Sequence, residues 1–333
     1  MLNKRINLKR IDKDKVYSIL KTDGVKISSS LITALFRYAI LIGICYVAMY
    51  PVLKSLSMAM MPATEYLAGD VEWIPDNPTL VNFKKFQSYF NYWKHAGATA
   101  VYTLISTAIQ MVITSLVGYG LARYPFKGNI IVFFCVIATI ILPIQATQIP
   151  LYVYYLEFDF FGIGSLLKLI TGKALTANLV NTNWTYYVPA LVGMGLNSGL
   201  YIFLFRQFFK GMPKDLEDAG RVDGCSPLMV YLRIMVPNVK PVFVTVALLS
   251  CIYYWNDDLL ASMFMNNADV PAIMVAISRI GAGSAAIEKG LETAQLIVQQ
   301  NATMLMAVSP LMIVFFICQK FFVECMDRSG IKG

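Results

Sequence analysis

The sequence predicts an all-α membrane protein with six transmembrane helices and both termini in the cytoplasm. Apolar residues make up 57% of its 333 positions and charged residues only 14%, about half the charged share of an ordinary soluble domain. The apolar residues gather into six runs of the length a helix needs to cross hydrocarbon. The basic residues then orient the runs. Nine precede or open the first run (through Arg37), two are Arg123 and Lys127, six lie between Arg206 and Lys240, and three are Lys320, Arg328 and Lys332; the opposite side holds eight. The richer side is the cytoplasmic one. The net charge of +8 is thus spread between apolar runs rather than gathered on one face, which argues against nucleic acid as a partner.

Residues 1–30 hold eight Lys or Arg and three Asp and are expected to be a cytoplasmic tail. The apolar stretch that follows continues too far for a cleaved signal. A first membrane helix is expected over 31–61, its core at 32–56, with Arg37 and Lys54 near its ends where long side chains snorkel. Residues 62–97, with Trp73, Phe83, Phe86, Tyr89, Tyr92 and Trp93, suggest a small extracellular cap with aromatic anchors. The remaining runs, 98–122, 130–154, 186–205, 242–263 and 303–322, make a five-helix core over 98–323, followed by a short cytoplasmic tail at 324–333.

The core is interrupted by one charged stretch, Arg206 to Pro241. Gly211 stops the preceding helix, Pro213 suits a first helical position, and Asp215, Glu217 and Asp218 crowd a first turn, where carboxylates favour the positive end of the helix dipole. Leu216, Ala219 and Val222 recur at threefold spacing as an apolar stripe. Glu217 can pair with Arg221 one turn on, and Asp223-Gly224 closes the helix. Ser226 and Pro227 then open a second helix expected to end before Pro237. By residue chemistry alone, this is either a solvated loop or a docking element with a charged rim.

The stretch resembles the signature cytoplasmic loop of the membrane subunits of ABC importers, written E-A-A, three residues, G, nine residues, I, one residue, L-P. Asp218, Ala219, Gly220, Gly224, Ile234, Val236 and Pro237 fall on those positions, with Asp for Glu, Gly for the second Ala and Val for Leu. Gly220 lowers helix propensity by roughly 1 kcal/mol relative to Ala. Other stretches are similar to the maltose-type carbohydrate importers. They include Gly118-Tyr119-Gly120-Leu121-Ala122-Arg123, Leu142-Pro143, Ile149-Pro150-Leu151-Tyr152, Phe205-Arg206-Gln207-Phe208-Phe209, Trp255-Asn256-Asp257, Gln319-Lys320-Phe321-Phe322-Val323 and Gly330-Ile331-Lys332-Gly333. The long N-terminal tail and residues 164–185, which look like an insertion, depart from that pattern.

The resemblance implies a type I importer permease fold and the role of one of two permease subunits, in a heterodimer. It also implies an ABC ATPase dimer that binds ATP and Mg, and an extracytoplasmic sugar-binding protein. It places the contact with the ATPase on Glu217, Asp218, Ala219, Gly220, Arg221, Asp223, Gly224, Ile234 and Pro237, with Glu217, Asp218 and Arg221 at the rim. No Gly-rich phosphate loop ending in Gly-Lys-Ser or Gly-Lys-Thr is present, so ATP hydrolysis is assigned to another chain and no cofactor to this one. Trp255, Asn256 and Asp257 are read either as a stacking and hydrogen-bonding patch for a sugar or as an interfacial aromatic with helix-end polar residues; Gln145, Gln148 and Asn197 are lesser candidates. The same architecture moving a polyamine, phosphate or amino acid is the alternative. A secondary transporter would show internal repeats and mid-membrane ionisable groups, which are not evident. A single histidine, His95, and cysteines without metal-like spacing offer no catalytic or metal constellation.

Overall fold

The computed structural model describes residues 13–69, 73–89, 91–172, 175–266, 272–281 and 293–329. The start of the expected tail, parts of the loop after residue 266 and the Gly330–Gly333 ending lie outside these. The first unit, residues 1–57, is dominated by the long helix α1 (Lys13–Met60), which starts well inside the expected tail. Its stretch Thr33–Met60 is 28 residues long and apolar enough to span a bilayer. Leu35, Ile42 and Val47 are about 70% exposed, a surface suited to lipid tails.

In the second unit, the region expected to be a cap folds into α2 (Ala63–Ala68) and α3 (Val81–Tyr89). Asn82 Nδ2 donates to the carbonyls of Ala59 and Met61 at 2.8 and 2.9 Å, supplying partners that carbonyls at a helix end otherwise lack. The organising element is α4 (Tyr92–Arg123), whose Asn91 cap accepts from the Lys94 N–H. One face of this long apolar helix is small and polar: Thr99, Thr103, Ser106, Gln110, Thr114 and Ser115 are all buried. Such a face is costly in hydrocarbon and packs instead against other helices through close approach and shared hydrogen bonds.

The next three expected spans are broken. The 130–154 run becomes α5 (Asn129–Ile141) and α6 (Gln145–Leu156), bent by 100°. Pro143 holds Leu142 in an extended conformation (ψ 126°), as a residue before proline prefers. Beyond it, α7 (Ile163–Thr171) occupies the insertion, which is tied to the core by paired hydrogen bonds between Phe158 and Ala177 and by Leu179 N–H to Tyr155 O at 2.9 Å. Hydrogen bonds from the Gly162 N–H and the Ser165 hydroxyl hold the Asp159 carboxyl below its usual range. The 186–205 run becomes α8 (Trp184–Leu191) and α9 (Ser198–Gly211), separated where Gly193 and Asn197 take positive φ (74° and 56°); apolarity alone hides these breakers. Short helices follow: α10 (Asp215–Val222), α11 (Pro227–Val230) and α12 (Val236–Asn238). The 242–263 run becomes α13 (Lys240–Trp255) and α14 (Leu259–Phe264), the latter opened by Asp257 Oδ1 accepting from the Leu260 N–H at 3.1 Å.

After α15 (Ile273–Gly281), the chain ends in α16 (Thr293–Ser329), which contains the sixth expected run. Among the described residues, three helices pass the length and apolarity test singly, or up to five spans if each bent pair counts as one. The protein is therefore a mostly helical membrane protein whose spans are less continuous than apolarity predicts.

Candidate functional site

The charged stretch forms a structured element. Gly211 ends α9 and the chain turns through Met212 and Pro213, so that α10 begins at Asp215, two residues beyond the expected start. Its C-terminus is a Schellman turn: the Cys225 N–H reaches the Gly220 carbonyl at 2.9 Å and the Gly224 N–H reaches Arg221 at 3.0 Å. Gly224 sits at φ +80°, where a side chain would be strained. Ser226 Oγ then accepts from Met229 N–H at 3.3 Å to cap α11, with Pro227 at the first helical position.

The faces of α10 are chemically divided. Leu216, Ala219 and Val222 are exposed, Val222 by 87%, so the apolar stripe is unoccupied by this chain. Glu217 and Gly220 face inward. Glu217 was expected on the rim; the structure corrects this. Its Oε1 lies 3.2 Å from Arg123 Nε, with the side chains 7% and 4% exposed. The contact is an ion pair rather than an aligned hydrogen bond. Arg123 in turn donates through Nη2 to the Met212 carbonyl at 2.7 Å. The reason is packing: α10 lies back against the end of α4, and the buried guanidinium requires a carboxylate there. Arg221 approaches Glu217 and Asp218, each at 3.8 Å, from a half-exposed position, as the one-turn spacing predicts. Asp218 is exposed, with 66% of its side chain accessible. Behind Gly220, Ile234 fills the space a methyl would take, which explains a glycine here despite its cost to helix propensity.

From α10 the element is continuous with the core. The second helix does not end before Pro237. A π-helical turn, Tyr231–Met235, joins α11 to α12, and Pro237, lacking an N–H, cannot donate back to Arg233; a widened turn tolerates that loss. Asn238 Nδ2 donates to the Ile234 carbonyl at 2.7 Å, after which the chain bends by 81° into α13. Tyr231 shares a 2.6 Å hydrogen bond with Ser115 of α4 and lies 5.1 Å from the Tyr119 ring. With Phe205, Phe209, Met235 and Val242 these form one buried cluster. A force on α10 thus meets a packed block, not a hinge of loose side chains.

The outer triplet packs mostly as helix-end residues. Trp255 is 6% exposed, and its Nε1 donates to the Ala307 carbonyl of α16 at 2.8 Å. Its ring is locked between helices and presents no stacking face. Asp257 accepts from the Tyr186 hydroxyl at 2.6 Å besides opening α14. Only Asn256 is exposed, lining an open cavity of about 550 Å³ with Met274, Gln300 and Met304. The structure does not bring Gln145 or Asn197 to it, and the buried amide of Gln148 lies elsewhere on α6. A group that sequence reasoning missed is Gln110. Fully buried, it donates to the Leu196 carbonyl at 2.6 Å and Ser198 Oγ at 2.9 Å and accepts from Ser250 Oγ at 3.0 Å, joining α4, α9 and α13. A glutamine central in an apolar run was the available signal.

Broken helices around a polar-faced central helix, with a small amphipathic helix held outside the bundle, define the membrane-embedded component of a transporter. Residues 110–328 match the family of binding-protein-dependent transport system inner membrane components, and the chain belongs to that family. Among similar proteins is the arabinooligosaccharides transport system permease protein AraQ of Bacillus subtilis. It is 26% identical over 304 residues, covering 90% of this chain and 95% of that protein. AraQ of Halalkalibacterium halodurans is 26% identical over 87% of this chain and 93% of its own length. The melibiose/raffinose/stachyose import permease protein MelC of Bacillus subtilis is 26% identical, over 74% and 81%. The fold is similar, with a TM-score of 0.70 at 20% identity, to a chain in the crystal structure of a bacterial ABC transporter involved in the import of the acidic polysaccharide alginate, covering 88% of this chain and 98% of that one.

Proposed function

We propose that the chain is a permease subunit of an ATP-driven importer that takes up a sugar or oligosaccharide delivered by an extracytoplasmic binding protein. In this reading it sits in the cell membrane with six spans, three of them broken, and both termini in the cytoplasm. It pairs with a second permease subunit, most simply a different chain. ATP and Mg are bound by a separate ATPase dimer. The sugar assignment draws on the substrates named for the similar permeases.

One observation carries the coupling: α10 offers Leu216, Ala219 and Val222 to solvent while its back is fixed by Arg123 and Ile234. The exposed stripe suits a cleft in the ATPase, with Asp218 and Arg221 around it. Closure of the ATPase dimer on ATP moves α10 as a unit, and the Tyr231–Val242 block passes that displacement to α4, α9 and α13. A two-state bundle biased in this way alternates between outward and inward access. The test is disulfide crosslinking from Leu216→Cys and Val222→Cys to cysteines in the ATPase subunit, read alongside oligosaccharide uptake in vesicles. Crosslinks that change yield with ATP support the reading. Labelling of both positions by an impermeant maleimide from the outer face of intact cells would end it.

A further inference from the structure

The side of α10 turned away from its apolar stripe lines an open cavity of about 700 Å³ together with the α4–α5 turn and α9. That volume is in the range of small-molecule sites. Lys214, Glu217, Asp218 and Arg221 reach it from one helical face, spaced at one and two turns, while Leu216 and Ala219 point the other way.

Its charges do not cancel. Glu217 is used by Arg123 and Arg221, and Asp218 by Arg221. Arg206 and Lys214 are left, among the described residues, without an acidic partner. Arg206 is held in place rather than free in solvent: its guanidinium carbon lies 3.7 Å over the Phe133 ring, and its Nε is buried with no hydrogen-bond acceptor among the described residues. The rest of the lining is apolar. Ile130 and Ile131 are each 69% exposed and Phe126 48%, on the first turn of α5 and the turn before it.

Two uncompensated cations beside an apolar wall, where a membrane helix begins, match the two halves of one molecule. We propose that the cavity binds an anionic phospholipid of the inner leaflet. The phosphate sits between Arg206 and Lys214, and the glycerol and upper acyl chains lie along Phe126, Ile130 and Ile131. Guanidinium and ammonium groups hold phosphate by charge-assisted hydrogen bonds, and basic recesses at the cytoplasmic boundary are suited to acidic headgroups. A free phosphate would satisfy the cations but leave the apolar wall uncovered, which is why a lipid is the better fit. The inference rests on the cytoplasmic placement of this loop, and because the cavity backs onto α10, bound lipid would stiffen the coupling element.

The experiment is native mass spectrometry of the purified importer released from nanodiscs of dioleoylphosphatidylglycerol or dioleoylphosphatidylcholine, for the wild type, Lys214→Gln and Arg206→Gln/Lys214→Gln. The wild type should retain phosphatidylglycerol in preference to phosphatidylcholine. The double variant should lose that retention by about 30-fold, with Lys214→Gln, at an exposed and structurally tolerant position, giving an intermediate loss. Ile131→Trp should weaken retention by filling the apolar half. Equal retention of both lipids, or unchanged retention in both glutamine variants, overturns the proposal. Displacement by millimolar inorganic phosphate as effective as that by added phosphatidylglycerol would assign the cations to a soluble anion and overturn the lipid reading. Impermeant-maleimide labelling of Val222→Cys reports the side of the membrane separately, so a failure of the lipid site and a failure of the topology give different results.

Discussion

Arg123 and Glu217 stand 3.2 Å apart with both side chains almost fully buried, so the end of α4 and the inner face of α10 are held by one charge pair. Removing either partner strands the other charge, which costs about 3–5 kcal/mol when the site is dry. Glu217→Gln and Arg123→Gln are each expected to lower the Tm and to reduce uptake more than ATP hydrolysis. The double variant, in which no charge is stranded, should be more stable than the sum of the single losses predicts. A double-mutant cycle on thermal unfolding in detergent checks this; additivity would remove the pair from the coupling mechanism.

Gly220 and Ile234 make a second, steric link. A methyl at residue 220 meets the end of the Ile234 side chain, which is flexible enough to swing aside. Gly220→Ala should therefore be near neutral, a gain of about 1 kcal/mol in helix propensity offsetting the repacking. Gly220→Leu should displace α10 and abolish uptake. Ile234→Ala in the Gly220→Leu background should recover part of the lost activity, measured as initial uptake rate. No recovery would mean that these two residues do not share one space.

The outer face of α10 separates binding from stability. Val222 is 87% exposed and Leu216 37%, so Val222→Asp and Leu216→Asp should change the Tm by no more than about 0.5 kcal/mol in equivalent stability. The same variants should lose co-purification with the ATPase subunit, because a carboxylate would be buried in an apolar cleft without a partner. Retained assembly with either variant would place the ATPase contact elsewhere.

What the sequence disclosed follows from the range of each interaction. The cap at Ser226, the turn at Gly224 and the Glu217–Arg221 pairing depend on residues within a turn of one another, and all were legible. Arg123 and Glu217 lie far apart in the chain, so the pair that turns Glu217 inward was not. Apolar runs located the hydrophobic mass, but the breaks at Pro143, Gly193 and Asn256 depend on backbone conformation that a hydropathy average does not register. A glutamine inside an apolar run marks Gln110 as unusual, but its partners Leu196, Ser198 and Ser250 are brought together only by the fold.

The outer triplet supplies the last prediction, since stacking on sugar and packing against α16 make opposite demands on Trp255. Its Nε1 donates to the Ala307 carbonyl at 2.8 Å from a buried position. Trp255→Phe keeps an aromatic ring that could still stack on a sugar, but it leaves that carbonyl without its donor. The expected result is a loss of about 1–3 kcal/mol in stability with the KM for oligosaccharide uptake unchanged. Asn256→Ala, at the exposed neighbour, should leave the Tm alone, so any effect it has on KM reports on the cavity beside Met304 and not on folding. Uptake kinetics and thermal unfolding on the same two variants separate the cases. A raised KM for Trp255→Phe at unaltered Tm would return the indole to the substrate path and require the α13–α16 contact to open during transport.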